Sequence, residues 1–216
     1  MKHKRTYEIL VWVLALLPLA VTLALYGRLP EQVPIHWNMQ GRVDEYGPRI
    51  QLIWLALVPL GIHLMMLLLP RIDPKKDNYA RFGRVYGILR LVMVLFFLLM
   101  QGITLYAALA PAPPQAGRLI LAAVGLLLCV IGNFMPKFKH NYFCGVKTPW
   151  ALASAENWRR THRLAGPLWF WTGLVFAAAG LALPEAVAGA VLLAGILPLI
   201  AIPIAYSWWL WHTKQC

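Results

Sequence analysis

Six long apolar runs decide most of what this chain can become: Ile9–Tyr26, Gln51–Leu69, Val85–Ala110, Leu119–Met135, Ala165–Leu183 and Ala186–Trp211. At about 1.5 Å rise per residue, each crosses or nearly crosses a hydrocarbon core about 30 Å thick. With 60% of its 216 residues hydrophobic and 13% charged, the chain is too apolar for the surface of an ordinary soluble domain. The expected fold is an all-α membrane protein with six transmembrane helices, a single integral domain over residues 1–216. Lys2, Lys4 and Arg5 precede the first run in the manner of a signal peptide. The run is too long for one and Arg28-Leu29-Pro30 is a poor cleavage site, so it is read as an anchor.

The net charge of +12 is a topology signal before it is anything else. Basic residues crowd the N-terminal tail, the segment Pro70–Arg84 (Arg71, Lys75, Lys76, Arg81, Arg84) and the segment Pro136–Leu164 (Lys137, Lys139, Lys147, Arg159, Arg160, Arg163). Arg28, Arg42 and Arg49 in Gly27–Ile50 are balanced by Glu31, Asp44 and Glu45, and the other two links hold one charge each, Arg118 and Glu185. The positive-inside rule then places both termini in the cytoplasm, as six spans require. The basic excess also suits anionic lipid head groups; direct nucleic-acid binding is not expected. Cys129, Cys144 and Cys216 offer no pair on the outer face, so neither a disulfide nor a zinc site is expected.

Short links at Ala110–Gly117 and Leu183–Gly189 make antiparallel pairs of spans three and four, and five and six. Three segments remain long enough to hold a site. In the extracellular loop 27–50, Val33, Ile35 and Trp37 alternate with Pro34, His36 and Asn38, then a turn leads into RVDEY. This reads as a small β-hairpin or, equally, as an irregular cap held by Trp37 at the interface. Pro34, His36, Trp37, Asn38, Gly41 and Asp44 are its candidate ligand contacts. His36, Asp44 and Glu45 are chemically adequate for a divalent metal, yet no second histidine or cysteine stands nearby, and no metal or other cofactor is expected. The inner loop Pro70–Arg84 is the second of the three segments.

In the cytoplasmic loop 136–164, Thr148-Pro149 reads as an N-cap with proline at the first helical position. A helix to Arg163 follows, with Trp150, Ala153, Trp158 and Thr161 on one face and Glu156, Asn157, Arg159, Arg160 and Arg163 on the other. That division suits a helix lying in the interface, turning at Ala165-Gly166-Pro167 into the fifth span, with Trp158 as its head-group anchor. Asn133 and Asn141 are placed to bond carbonyls at the end of the fourth span, and Gly145 to permit a tight turn.

Within the spans, His63 lies deep, either as a functional group or as a neutral imidazole bonded to a carbonyl or to Gln101. Arg90 is placed to snorkel to the head groups. Pro18, Pro59, Pro198 and Pro203 sit inside runs and suggest kinks. Neither G-x-S-x-G nor H-E-x-x-H occurs, and all eight acidic residues lie in loops or tails, so an enzyme is not expected.

The segment IGNFMPKFKHNYFCGVKTPWALASAENWRRTHRLAG, Ile131–Gly166, resembles the signature of the SdpI family of bacterial membrane immunity proteins. LPEQVPIHWNMQGRVDEYG, Leu29–Gly47, is similar to a small domain of unknown function that precedes that signature in many members. Lys147 stands where arginine is commoner and Ala151 where threonine is. The resemblance implies a multi-pass protein of the bacterial plasma membrane that protects against a secreted peptide toxin, and that also draws a small helix-turn-helix repressor to the membrane. It assigns interest to Asn133, Pro136, Lys137, Asn141, Gly145, Lys147, Thr148, Pro149, Trp150, Trp158, Thr161, His162 and Gly166. Competing readings are a transporter or flippase of an amphipathic or lipid-linked molecule, using His63 and the kinked helices, and a membrane enzyme acting on a lipid phosphate. The oligomeric state is not fixed by any of these.

Overall fold

The computed structural model describes residues 2–38, 42–110 and 116–215, with side chains from position 5 onward. Gly41, Cys216 and most of the link after the third span lie outside the described residues. The order is α1 (Lys2–Leu25), β1 (Gln32–Trp37), β2 (Val43–Pro48), α2 (Gln51–Ile72), α3 (Tyr79–Leu109), α4 (Ala116–Phe134), α5 (Pro149–Ala153), α6 (Ala155–Ala182) and α7 (Glu185–His212). All but α5 among the helices are long and apolar enough to cross a membrane. Their outward faces carry side chains such as Leu197 at 71% exposure and Leu181 at 66%, which only lipid can cover favourably.

The helices overrun the apolar runs at several ends. α1, α3 and α6 begin several residues earlier than hydropathy marks, and α2 runs through Pro70 to Ile72. Hydropathy reports contact with lipid, whereas the i to i−4 ladder continues through polar end turns.

Two groups of helices are packed side by side. α1, α2 and α3 touch one another, α6 packs on α4 and α7, and α3 meets α4. Antiparallel pairing of α6 with α7 is as expected from their short link. The extended segment is a true hairpin: β1 pairs antiparallel with β2 from Gln32 opposite Pro48 to Trp37 opposite Val43, with irregular register around His36. Val33 and Leu29 anchor it against Leu52 and Leu105, over one end of α2 and α3. Inside α3 the backbone leaves the helical region at Phe82, with φ −135° and ψ 20°.

The expected interfacial helix from Pro149 to Arg163 is not one helix. α5 ends after five residues, Ser154 caps a new start through a bond from the Asn157 amide, and α6 then runs unbroken through Gly166-Pro167 into the fifth span. A residue before proline is normally pushed out of the α region by a clash involving its Cβ. Gly166 has none, which eases that clash, and α6 continues through Pro167 as α2 does through Pro59 and Pro70.

Candidate functional site

The polar corner lies where α4, α5, α6 and the end of α7 meet, at the opposite end of the helices from the hairpin. Its loop is shaped by Asn141. The side chain oxygen accepts from the amides of Phe143 (2.8 Å) and Cys144 (2.6 Å), and the amide group donates to the carbonyls of Lys139 (2.8 Å) and Cys144 (3.0 Å). Every donor and acceptor of a buried asparagine is thereby used. Its partners are loop carbonyls, not the end of the fourth span as expected, and Asn133 is exposed on α4.

Gly145 follows with φ +114°, where a Cβ would also strike Nε2 of His162. That nitrogen accepts from the Val146 amide at 3.0 Å, and Nδ1 faces the Trp158 carbonyl at 2.7 Å. An amide can only donate, so Nε2 is the acceptor and Nδ1 carries the proton: one neutral tautomer is fixed. The Trp158 ring stacks on His162 at 4.0 Å between centroids and on His140 at 5.1 Å, and its Nε1 donates to the Phe138 carbonyl at 3.0 Å. Trp158 is 2% exposed. It is a core residue holding the loop to α6, not the head-group anchor that an amphipathic indole suggests.

A second network ties the corner to α7. Thr148 accepts from the Ala151 amide and lies 2.6 Å from the Ser207 hydroxyl. Asn157 donates to the Ser207 carbonyl (2.9 Å) and accepts from the hydroxyls of Ser207 (2.8 Å) and Thr161 (3.0 Å). Ser207 spends its proton on Asn157, so Thr148 must donate to Ser207, and the hydroxyl chain has one direction. The helix start expected at Thr148-Pro149 is as the sequence implies. Asn157, expected on the polar face, is buried completely. Ser207 was missed because it sits inside an apolar run; a lone serine there is the signal that could have found it.

The corner is also tied to the loop between α2 and α3. Asp73, 2% exposed, accepts from the Lys75 amide, the Tyr79 hydroxyl and the Tyr142 amide, and Asn78 donates to the His140 carbonyl at 2.7 Å. Asp-Pro at 73–74 is the turn signal that sequence reading passed over. Burial, aided by the charge of Lys75, holds His140 below the ordinary histidine range. Burial pushes the Cys144 thiol up to about 11, which lowers its thiolate fraction at neutral pH.

The signature residues therefore separate into two sets. Asn141, Thr148, Trp158, Thr161 and His162 are buried scaffolding; Asn133, Pro136, Lys137, Lys147 and Pro149 are exposed, and Gly145 and Trp150 are partly so. Among the described residues, Lys147 reaches only the Phe143 carbonyl, at 3.4 Å.

Of a further set of residues, the sequence reading named only Gly166, and not for its packing. Gly125 and Gly132 on α4 face Gly166, Gly173 and Gly180 on α6 so closely that a Cβ on Gly132 would lie 2.6 Å from the Gly166 carbonyl, and one on Gly125 2.5 Å from the Gly173 carbonyl. Their seven-residue spacing within each helix was the visible signal. Arg118 closes one end of this seam by donating to the carbonyls of Gly180 and Leu181.

At the hairpin, His36 and Asp44 form an exposed pair at 2.6 Å, and Asn38 accepts from the Arg42 amide. Pro34 is buried, while Trp37 and Asn38 line an apolar cavity of about 250 Å³ with Glu185, between α4 and α7. Gly41 lies outside the described residues. Among the described residues no group of three metal-ligating side chains occurs.

Inside the bundle, two expectations fail. His63 is fully buried and, among the described residues, neither ring nitrogen is bonded; it lies edge-on to Trp12 at 4.6 Å, and Gln101 instead donates to Thr22 (2.7 Å) and the Leu52 carbonyl (3.1 Å). Arg90 does not snorkel: its side chain is 7% exposed, paired with Glu8 at 2.6 Å and set over the Tyr7 ring. A carboxylate immediately before the first apolar run, Glu8, was available on the neighbouring helix, and a paired guanidinium need not seek water.

These features define a multi-pass membrane protein built of six spanning helices, with a hairpin at one end and a hydrogen-bonded corner at the other. Residues 137–207 match the SdpI/YfhL protein family, and residues 13–60 match a domain of unknown function, DUF1648. The first match reaches Ser207 and so encloses the Asn141 and Asn157–Ser207 networks of the corner. The second takes in the hairpin together with parts of α1 and α2. The chain is 24% identical over 165 residues to "Immunity protein SdpI" of Bacillus subtilis (strain 168), covering 76% of this chain and 77% of that protein. The resemblance to the SdpI family of membrane immunity proteins is thus found along most of the chain. No solved structure matches.

Proposed function

We propose that this chain protects a bacterial membrane against a secreted, membrane-active peptide, with the hairpin end outside and both termini and the polar corner inside. The observation that carries the reading is the similarity to an immunity protein across 76% of the chain, beside separate family matches that take in the hairpin and the corner. In this reading the hairpin, with Pro34, His36, Trp37, Asn38, Gly41 and Asp44, meets the peptide. The exposed rim of the corner, Asn133, Pro136, Lys137, Lys147 and Pro149, docks a small helix-turn-helix repressor, and the buried residues hold that rim in shape. No catalytic role is assigned.

The test is survival of a toxin-sensitive bacterium expressing the chain, scored against an empty vector, with co-purification of a candidate repressor. Trp158→Ala empties a buried site and orphans the Phe138 carbonyl, so a stability loss of about 3–5 kcal/mol and loss of protection are expected. Lys147→Ala should leave membrane levels unchanged and impair protection or repressor capture; if it matches wild type in both, the rim has no docking role. Orientation is better probed at an exposed position than at Cys144, with its lowered thiolate fraction: Lys147→Cys should resist a membrane-impermeant maleimide in intact cells, and strong labelling inverts the topology.

A second reading, a transporter or flippase, is favoured by one observation. The unbonded His63 shares its half of the bundle with the Glu8–Arg90 pair, which lines a cavity of about 670 Å³. Protection that collapses when the proton-motive force is dissipated, at unchanged protein level, selects this reading over the first.

A further inference from the structure

A cavity of about 330 Å³ opens beside the corner, between the loop preceding α3, the loop after α4 and the start of α6. That size falls in the range of small-molecule sites, about 300–1,000 Å³. Lys75, Arg81, Lys139 and Arg159 line it with His140, and no carboxylate does. These cations come from three separate segments, so their convergence is a product of the fold and not of a basic run. Among the described residues, no hydrogen bond or ion pair engages the charged ends of Lys75, Arg81 or Lys139; Arg159 is paired with Glu156 through Nε and Nη2. His140 is 9% exposed and its Nε2 has no partner. Ala155, the first residue of α6, also lines the cavity, which brings the amide end of a long helix to the same place.

The walls are held apart and in register before any ligand arrives. Asp73 bonds the Tyr142 amide, Asn78 bonds the His140 carbonyl, and Trp158 bonds the Phe138 carbonyl. Like charges so collected repel one another, and a preorganised cluster of them recovers that cost only with an anion present.

We infer that this cavity binds a phosphate group, as the phosphate of an anionic lipid head group or of a soluble phosphate compound. The inference is independent of the immunity reading, since a peptide toxin plays no part in it. Ligand seated here bridges the α2–α3 loop to the corner and stiffens the rim that Lys147 belongs to.

The experiment uses the full-length chain, purified in detergent and then placed in nanodiscs. Inorganic phosphate is one probe, titrated against chloride at matched ionic strength and read by the thermal midpoint. Phosphatidic acid in phosphatidylcholine nanodiscs is the other, read by retention in native mass spectrometry after delipidation. Saturable binding of the lipid alone assigns a head-group site; saturable binding of inorganic phosphate assigns a soluble-phosphate site; an absence of saturable binding of both by wild-type protein overturns the proposal. Arg81 and Lys139 are exposed, so Arg81→Gln/Lys139→Gln should keep the ligand-free midpoint and weaken the bound probe at least tenfold. Arg84→Gln/Lys214→Gln removes the same charge outside the cavity and should change binding less than twofold. Equal losses in the two double variants reduce the effect to general surface charge and also overturn the proposal.

Discussion

The α4–α6 pair and the α1–α2–α3 group hold helices together by different means. Between α4 and α6 the backbones touch, because five glycines remove the side chains that would part them. In lipid, where apolar side chains gain nothing by leaving one another for the bilayer, such close approach supplies dispersion contacts that larger residues forfeit. Among α1, α2 and α3, apolar packing such as that of Val11 and Ala15 on Val94 is joined by scattered polar ties: Tyr7 to the Gly87 carbonyl, Tyr86 to the Met66 carbonyl, Gln101 to Thr22 and Leu52, and Arg90 to Glu8. Here Gly61, Gly83 and Gly102 have open space around them. The half that carries the corner is a fitted seam; the half that carries the hairpin is pinned at points.

Glycine substitutions break this comparison most directly. In Gly132→Ala the new methyl falls on the Phe170 amide nitrogen, backbone that cannot rotate away, and the helices must separate. Overpacking of this kind costs about 1–3 kcal/mol, and the upper part is expected because the obstacle is main chain. Gly102→Ala meets nothing within 4 Å and should stabilise α3 by about 0.5–1 kcal/mol. Unfolding of the two variants in mixed micelles gives the contrast, and losses of similar size in both would mean that the seam is not special.

A smaller difference is expected for the polar ties. Asn157→Leu strands two hydroxyls and the Ser207 carbonyl, groups buried at the corner, at about 1–3 kcal/mol. Gln101→Leu removes two bonds within the bilayer, where interhelical hydrogen bonds average about 0.6 kcal/mol. Reversal of that order, measured by the same unfolding assay, would place the stability of the protein in its first half.

What was legible in the sequence follows the same divide. Number of spans, the hairpin alternation at 33–37 and the cap at Thr148-Pro149 rest on local pattern, and local pattern is what a sequence displays. Which face of an apolar helix meets protein is hidden, since leucine serves lipid and core alike; only the small and polar residues betray it, and the glycine heptads and Ser207 were those residues. Trp158 was misplaced because an indole next to arginines is equally at home in an interface and in a polar core. Asp73 and Glu8 were treated as surface charge, although each finds its partners on elements distant in sequence: Tyr142 for one, Arg90 for the other.

The smallest expected stability change is also the most informative. His63 is fully buried and, among the described residues, neither ring nitrogen has a partner. A buried polar group without a partner costs free energy, so an apolar ring of similar shape should serve the fold at least as well. His63→Phe keeps the edge contact with Trp12 and should leave stability unchanged or raise it by about 1 kcal/mol. The Gln101–Thr22 tie, on the same half of the molecule, should respond in the opposite sense. If His63→Phe instead destabilises the protein, the imidazole has a bonded role in the folded state, and the hairpin half is more completely fitted than its contacts indicate. If stability holds while protection of a sensitive bacterium is lost, the histidine is retained for what it does when it titrates or binds, and the pinned half, not the seam, carries the moving part of the function.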